Sequence, residues 1–257
     1  MLTTDLPIKR YFIYLAYKGT AYHGWQIQPN GITIQKILED ALSIALRNPI
    51  NIVGAGRTDT GVHAKLMVAH FDFQNEPINC YELVKKLNSL LPTDISVSKI
   101  IEVANNSHAR FDASSRTYEY HIIQSKDVFQ NELKVQITGA LNIQLMNNAA
   151  SILLHHTDFT SFSKLHTDVK TNNCKIYHAQ WTKNNDELIF TITADRFLRN
   201  MVRAIVGTLL EVGREKLTIK QFEEIIIAKN RCKAGVSVPA KGLFLIDIQY
   251  PNSVFIN

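Results

Sequence analysis

Three groups of residues in this chain have the types and spacing that chemistry requires. The first is Asp59, in the stretch Gly54-Ala55-Gly56-Arg57-Thr58-Asp59-Thr60-Gly61-Val62-His63-Ala64, where a carboxylate stands two residues from a guanidinium among three glycines. A nearby cation favours the ionised carboxylate, the form a nucleophile or a general base needs. An Asp between two threonines can equally close an Asx-turn on its own backbone, and the residue types alone leave both readings open. The second group is Arg116, Tyr118 and Tyr120, which share one face of an extended strand and bring a cation and two rings together, a surface that suits a nucleobase and its phosphate. Core packing, with the hydroxyls tied to backbone, is the alternative for each tyrosine. The third is Arg196, Arg199 and Arg203, spaced three and four apart beside the apolar series Leu198, Met201, Val202, Ile205, Val206 and Leu209. On one helix they line a flank that calls for an anionic partner, either RNA phosphate or a catalytic carboxylate, with surface salt bridges as the plainer reading.

The elements that must position these groups follow from periodicity. Residues 11–17 alternate and are rich in aromatics, which predicts a first strand turned by Lys18-Gly19-Thr20. Residues 21–31 then form a loop with aromatics and amides expected to be exposed. Thr33 is an N-cap for a helix with Ile34, Ile37, Leu38, Ala41, Leu42 and Ala45 inward, closed by Pro49. Strands at 50–53 and 66–73 flank the Asp59 loop, a helix over about 81–91 turns Leu83, Leu87, Leu90 and Leu91 inward, and 95–103 is a strand. The polar stretch 104–108 marks a join. Beyond it the pattern predicts a strand at 116–124, a helix at 142–154 with Ile143, Met146, Ala150 and Leu154 inward, and an antiparallel pair at 175–183 and 187–194 around Asn184-Asn185. A helix at 198–212 follows, then one opened by a Thr218/Gln221 capping box with Phe222, Ile225 and Ile226 inward, and a closing strand at 243–249. The expected class is α+β: two similar halves, residues 1–107 and 108–257, with antiparallel sheets flanked by helices and the active site in a cleft between them.

Composition narrows the possibilities. With 257 residues, 46% of them hydrophobic and 20% charged, the chain can bury a substantial core. No run of apolar residues is long enough for a membrane span, and Leu2, Thr3, Thr4 and Asp5 do not make a leader, so the expected location is the cytoplasm. Cys80, Cys174 and Cys232 are far apart and odd in number, which points to unpaired thiols. A net charge of +5 is a mild bias toward polyanions. Neither a dinucleotide fingerprint nor a Walker loop fits around Asp59, which stands where the fingerprint needs its third glycine, while Val62 and His63 replace the Walker lysine and hydroxyl. His63 and His70, and the adjacent His155 and His156, match no metal-ligand spacing, so no metal is expected. His63 is close enough in sequence to orient something in the loop, with turn or core packing as the simpler role.

The loop from Gly56 to Ala64 resembles the signature of the tRNA pseudouridine synthase A family. Further segments resemble that family in the same order: Gly19-Thr20 and Gly24-Trp25-Gln26, Arg110-Phe111-Asp112-Ala113 running into Arg116-Thr117-Tyr118, Asp158-Phe159-Thr160-Ser161-Phe162, Met201-Val202-Arg203, and Pro239-Ala240 with Gly242-Leu243. The resemblance implies a pseudouridine synthase fold and a homodimeric enzyme that isomerises uridine in the tRNA anticodon stem-loop, at positions 38, 39 and 40, without cofactor. It implies Asp59 as the catalytic carboxylate, Tyr118 as the ring that stacks on the target uracil, Arg203 as the partner of the aspartate, Leu243 as an apolar wall, and Arg57 as the residue that helps to extrude the base. Lys18 and Asp195-Arg196 depart from the residue types common in that family, which bears on RNA contacts or local packing. A non-catalytic RNA-binding module is the alternative from another class; such a module gains nothing from an acid in its RNA site. A hydrolase acting on the N-glycosidic bond would need a second carboxylate, and none stands near Asp59 in the sequence.

Overall fold

The computed structural model describes residues 7–74, 77–164 and 171–256. Residues 2–5, on which the reading of the leader rests, lie outside them. In chain order the elements are β1 (Lys9–Tyr17), α1 (Ile34–Leu46), β2 (Val53–Gly54), β3 (His63–Phe73), α2 (Cys80–Leu90) and β4 (Ile95–Val103). There follow β5 (Ser115–Ile123), β6 (Val135–Gln136), α3 (Ile143–Ile152), β7 (Ile176–Asn184), β8 (Glu187–Ala194), α4 (Met201–Gly213), α5 (Ile219–Ile227) and β9 (Leu243–Gln249). The class is α+β. The chain divides into two compact units, one of Met1–Ser114 with Leu245–Asn257 and one of Ser115–Phe244.

In the first unit the strand order is β4-β1-β3-β9, and the short β2 also pairs with β3. β1 and β3 are inner strands with apolar residues on both faces, which is why Phe12, Ile13, Met67, Val68 and Ala69 are all fully buried. Their antiparallel register sets Phe12 opposite His70 and Leu15 opposite Met67, then shifts so that Tyr17 meets Ala64. That irregularity falls where β1 reaches the Asp59 loop, with one more residue in β3 than in β1 between the paired positions, as in a bulge. α1 begins at Thr33, whose hydroxyl accepts the Lys36 amide, and buries Ile34, Leu38, Ala41 and Leu42. α2 is capped by Asn79 and buries Leu83 and Leu87, but Leu90 is 44% exposed. The helix ends there, and Leu91, in extended backbone, takes the buried position instead.

In the second unit the order is β5-β8-β7, with β6 parallel to β5. Asn185, at φ 53°, makes the tight β7–β8 connection. Asn142 caps α3, which buries Met146, Ala149 and Ala150, whereas Leu154, expected inward, lies beyond the helix and is 40% exposed. α5 opens with the Thr218/Gln221 capping box and buries Phe222, Ile225 and Ile226. The three cysteines are free thiols, and burial raises that of Cys174 to about 12, which leaves it unreactive.

His70, in the middle of β3, couples the first unit to pH. It is buried, and its Nδ1 accepts the Ala109 amide at 3.1 Å. Burial, then the Arg10 cation and His108, lower its pKa from 6.5 to about 4. The unfolded chain therefore takes up a proton on this ring as pH falls below about 6.5, while the folded chain does so only near 4. Stability is lost as pH falls through that window, at about 1.4 kcal/mol per pH unit for this group. The urea midpoint should drop between pH 7 and 5, and drop less in His70→Asn, whose side-chain oxygen can accept the same amide. Equal slopes for the two proteins would assign the pH dependence to other groups.

Candidate active site

Asp59 lies on the turn between β2 and β3. Of the strand expected at 50–53 only Val53 lies in β2, which continues to Gly54, while β3 begins earlier than expected, at His63. The loop is fastened on several sides. The Thr58 carbonyl accepts the Trp25 amide at 3.1 Å, the Gly61 amide donates to the Tyr22 carbonyl at 3.4 Å, and the Val62 amide donates to the Asp59 carbonyl at 3.1 Å. The Thr58 hydroxyl meets the Tyr17 hydroxyl at 2.9 Å, and His63 Nδ1 accepts the Gly19 amide at 2.9 Å. Thr58, Val62 and His63 are buried, Asp59 is half-buried, and Arg57 and Thr60 are exposed. His63 is thus a buried brace for the turn through residue 19.

The Gly19-Thr20 and Gly24-Trp25 segments acquire a physical reason from the same geometry. A Cβ on Gly24 would stand 2.4 Å from the Thr58 carbonyl oxygen, and Gly24 has φ +85°, a conformation that only glycine adopts cheaply. A Cβ on Gly54 would strike the Trp25 indole at 2.5 Å. The aromatics of 21–31 are accordingly not exposed: Trp25 is 2% and Tyr22 5% accessible. The indole fills the space that Gly54 leaves open, and the Tyr22 hydroxyl donates to the Asp94 carboxylate. Burial and that bond raise the Tyr22 pKa.

In the second unit β5 carries Arg116, Tyr118 and Tyr120 at alternating positions, opposite Ala194, Ile192 and Phe190 of β8. Tyr118 is half-buried, with its ring edge-on to Phe197 at 5.1 Å. Tyr120 is fully buried and its hydroxyl donates to the Pro239 carbonyl at 2.8 Å, so the pairing of two available rings does not hold for it. Burial raises its pKa. The Arg116 guanidinium donates to the Asp195 carbonyl at 2.8 Å. The Asp195 carboxylate in turn accepts the amides of Lys175 and Arg196, which gives this departure from the family pattern a local structural use.

The three arginines do not share a helix. Asn200 has φ 66°, so the helical path begins only at Met201, and Arg196 and Arg199 lie in the segment that leads into it. Arg203 is on α4, half-buried, and its Nε donates to the Val238 carbonyl at 2.7 Å. Leu243, the first residue of β9, is buried. The Asp158–Phe162 motif is architectural: Phe159, Ser161 and Phe162 are fully buried, and the Asp158 carboxylate accepts the Thr160 amide and hydroxyl and pairs with Lys229 at 2.9 Å. Among the described residues no group of three or more His, Cys, Asp or Glu side chains could hold a metal ion. Nor is any described helix long and apolar enough to cross a membrane.

Comparison with known proteins places the chain in a class of isomerases. The chain is a member of the tRNA pseudouridine synthase family, whose profile matches residues 13–112 and 149–251. Among curated proteins it is 60% identical over 249 residues to tRNA pseudouridine synthase A of Parabacteroides distasonis, an alignment that covers 96% of this chain and 98% of that one. To the protein of the same name from Bacteroides fragilis it is 58% identical, with 97% and 100% covered, and to that of Exiguobacterium sp. 39%, with 95% and 98% covered. Among solved structures, a chain of a Cbf5–Nop10–Gar1 complex aligns with 77% of this chain and 54% of its own at 12% identity and a TM-score of 0.32, a likeness too slight to carry an argument.

Proposed function

We propose that this isomerase acts on tRNA, converting uridine to pseudouridine at positions 38, 39 and 40 of the anticodon stem-loop with Asp59 as the catalytic carboxylate. The observation that carries the reading is the half-buried Asp59 on a turn whose neighbours, Thr58, Gly61 and Val62, are each held by main-chain hydrogen bonds. A reacting group fixed in this way loses no freedom on reaching the transition state. The reaction breaks the bond between N1 of uracil and C1′ of ribose, turns the base and joins C5 to C1′. C5 gives up its proton and N1 gains one, so no atom or electron is exchanged with a cofactor or metal. Such chemistry needs one anion, a proton relay and a hold on the base while it is detached, and the base must first leave its stack.

The remaining residues fit those needs. Tyr118 offers a half-buried ring on rigid β5 to stack on the uracil, and Leu243 gives the pocket an apolar wall. Arg57, exposed next to the catalytic turn, helps to extrude the base and fills its place. Arg203 is the cation set against the carboxylate. Arg116, Arg196 and Arg199 hold RNA phosphates. The enzyme works as a homodimer in the cytoplasm. Incubation with an unmodified tRNA transcript carrying uridine at all three positions, followed by mapping, should place pseudouridine at 38, 39 and 40; modification elsewhere, or none, overturns the assignment.

A further inference from the structure

Between α5 and β9 the chain forms no strand and only two single 3-10 turns, Arg231–Lys233 and Ala240–Gly242. Two successive carbonyls of this arm nevertheless hold side chains of α4 and β5. Val238 accepts Arg203 Nε at 2.7 Å and returns its own amide to the Arg203 carbonyl at 3.2 Å, and Pro239 accepts the Tyr120 hydroxyl at 2.8 Å. The arm lies flush on α4: a Cβ on Gly207 would stand 1.9 Å from the Val236 carbonyl oxygen, and the Gly235 amide donates to Thr208 Oγ1 at 2.9 Å. The placement of residues 234–239 therefore bears directly on the direction in which the Arg203 guanidinium points, through the Val238 carbonyl.

An irregular segment does not hold one conformation without fastenings, and to the contacts with α4 and β5 this arm adds a side-chain fork of its own. One terminal nitrogen of Arg231 donates to the carbonyls of Ala234 at 3.4 Å and Gly235 at 3.2 Å, and the other donates to Ser237 Oγ at 2.9 Å. The same hydroxyl oxygen accepts Asn200 Nδ2 at 2.6 Å, from the left-handed residue that launches α4. Asparagine adopts this backbone more readily than other non-glycine residues, and the bond to Ser237 ties its side chain to the arm. Arg231 is itself anchored, since the Asn230 amide donates to Ser161 Oγ at 2.8 Å and that buried hydroxyl donates to the Ile225 carbonyl at 2.6 Å. A planar guanidinium with several fixed donors can span three acceptors in this way, whereas an ammonium on a flexible stem cannot hold the same geometry.

We propose that Arg231 is a positioning residue for the pseudouridine reaction: its fork folds the 234–239 arm onto α4 and, through the Val238 carbonyl, orients Arg203. The inference rests on the preceding reading, in which Arg203 serves the reaction, and wild-type pseudouridine formation in the same assay checks that reading separately. Under single-turnover conditions with saturating enzyme, Arg231→Ala should lower the rate roughly 10- to 100-fold, the scale of a small misplacement of a reacting group. Affinity for tRNA should change less than about threefold, Arg231→Lys should recover little, and added guanidinium ion should restore part of the Arg231→Ala rate. In an Arg203→Lys background the same substitution should add less than about threefold, because the residue through which it acts is already displaced. A wild-type rate for Arg231→Ala, or a full multiplicative loss in the Arg203→Lys background, overturns the proposal. Should Arg231→Ala fail to fold, Ser237→Ala decides: it removes one acceptor of the fork and should slow the reaction several-fold with an unchanged melting temperature, and an unchanged rate overturns the proposal.

Discussion

Asp59→Asn should fold, bind tRNA and form no measurable pseudouridine. The amide matches the carboxylate in size, and the turn keeps the bonds made by the main chain of Thr58, Asp59 and Gly61 and by the Thr58 hydroxyl, so the loop should keep its shape. What disappears is the negative charge. Loss of the one group on which a reaction depends costs about 10⁴-fold or more, beyond the reach of compensation by neighbours. Binding should be unchanged or slightly tighter, since an anion is removed from a surface that receives a polyanion. Filter binding and pseudouridine mapping on one unmodified tRNA separate the two effects, and modification by the variant at the wild-type rate would remove Asp59 from the chemistry.

Gly24→Ala should be a severely damaging single-methyl change near that loop. The new carbon would stand 2.4 Å from the Thr58 carbonyl oxygen, a backbone atom that cannot rotate away, and φ +85° adds about 1–2 kcal/mol of strain for any L side chain. Relief requires the 58–60 turn to move, so the rate should fall roughly 10²-fold even in the molecules that remain folded. Gly56→Ala supplies the comparison, because a Cβ there meets nothing within 4 Å, and it should leave the melting temperature nearly unchanged. Equal melting temperatures and rates for the two variants would mean that the contact across Gly24 does not set the loop.

Much of this was legible in the sequence, for reasons that can be given residue by residue. β4 and β9 run over the residues that alternation picks out, and the caps of α1 and α5 are at Thr33 and Thr218, because these signals are local: a hydroxyl, a fixed offset, an apolar period. Asp59 stood out because glycine density and a neighbouring cation can be read from eleven residues. The misreadings are non-local. Nothing in residues 21–31 says that Gly54 has vacated a slot for Trp25, so its rings read as exposed. Alternation puts Tyr118 and Tyr120 on one face, but the fate of each depends on its cover, and Tyr120 is taken up by a carbonyl far along the chain. The apolar period runs unbroken through Leu198 and Met201, and only the backbone of Asn200 reveals that the helix has not yet begun.

The mutual fit of residues 19–25 with residues 54–63 also bears on how such a loop can change over time. Gly24 leaves room for Thr58, Gly54 leaves room for Trp25, and Gly19 hands its amide to His63, so neither stretch has a shape independent of the other. The two behave as one structural cassette. A chimera that takes only the Asp-bearing loop from a distant relative imports half of a lock, whereas one that takes both stretches carries a working part.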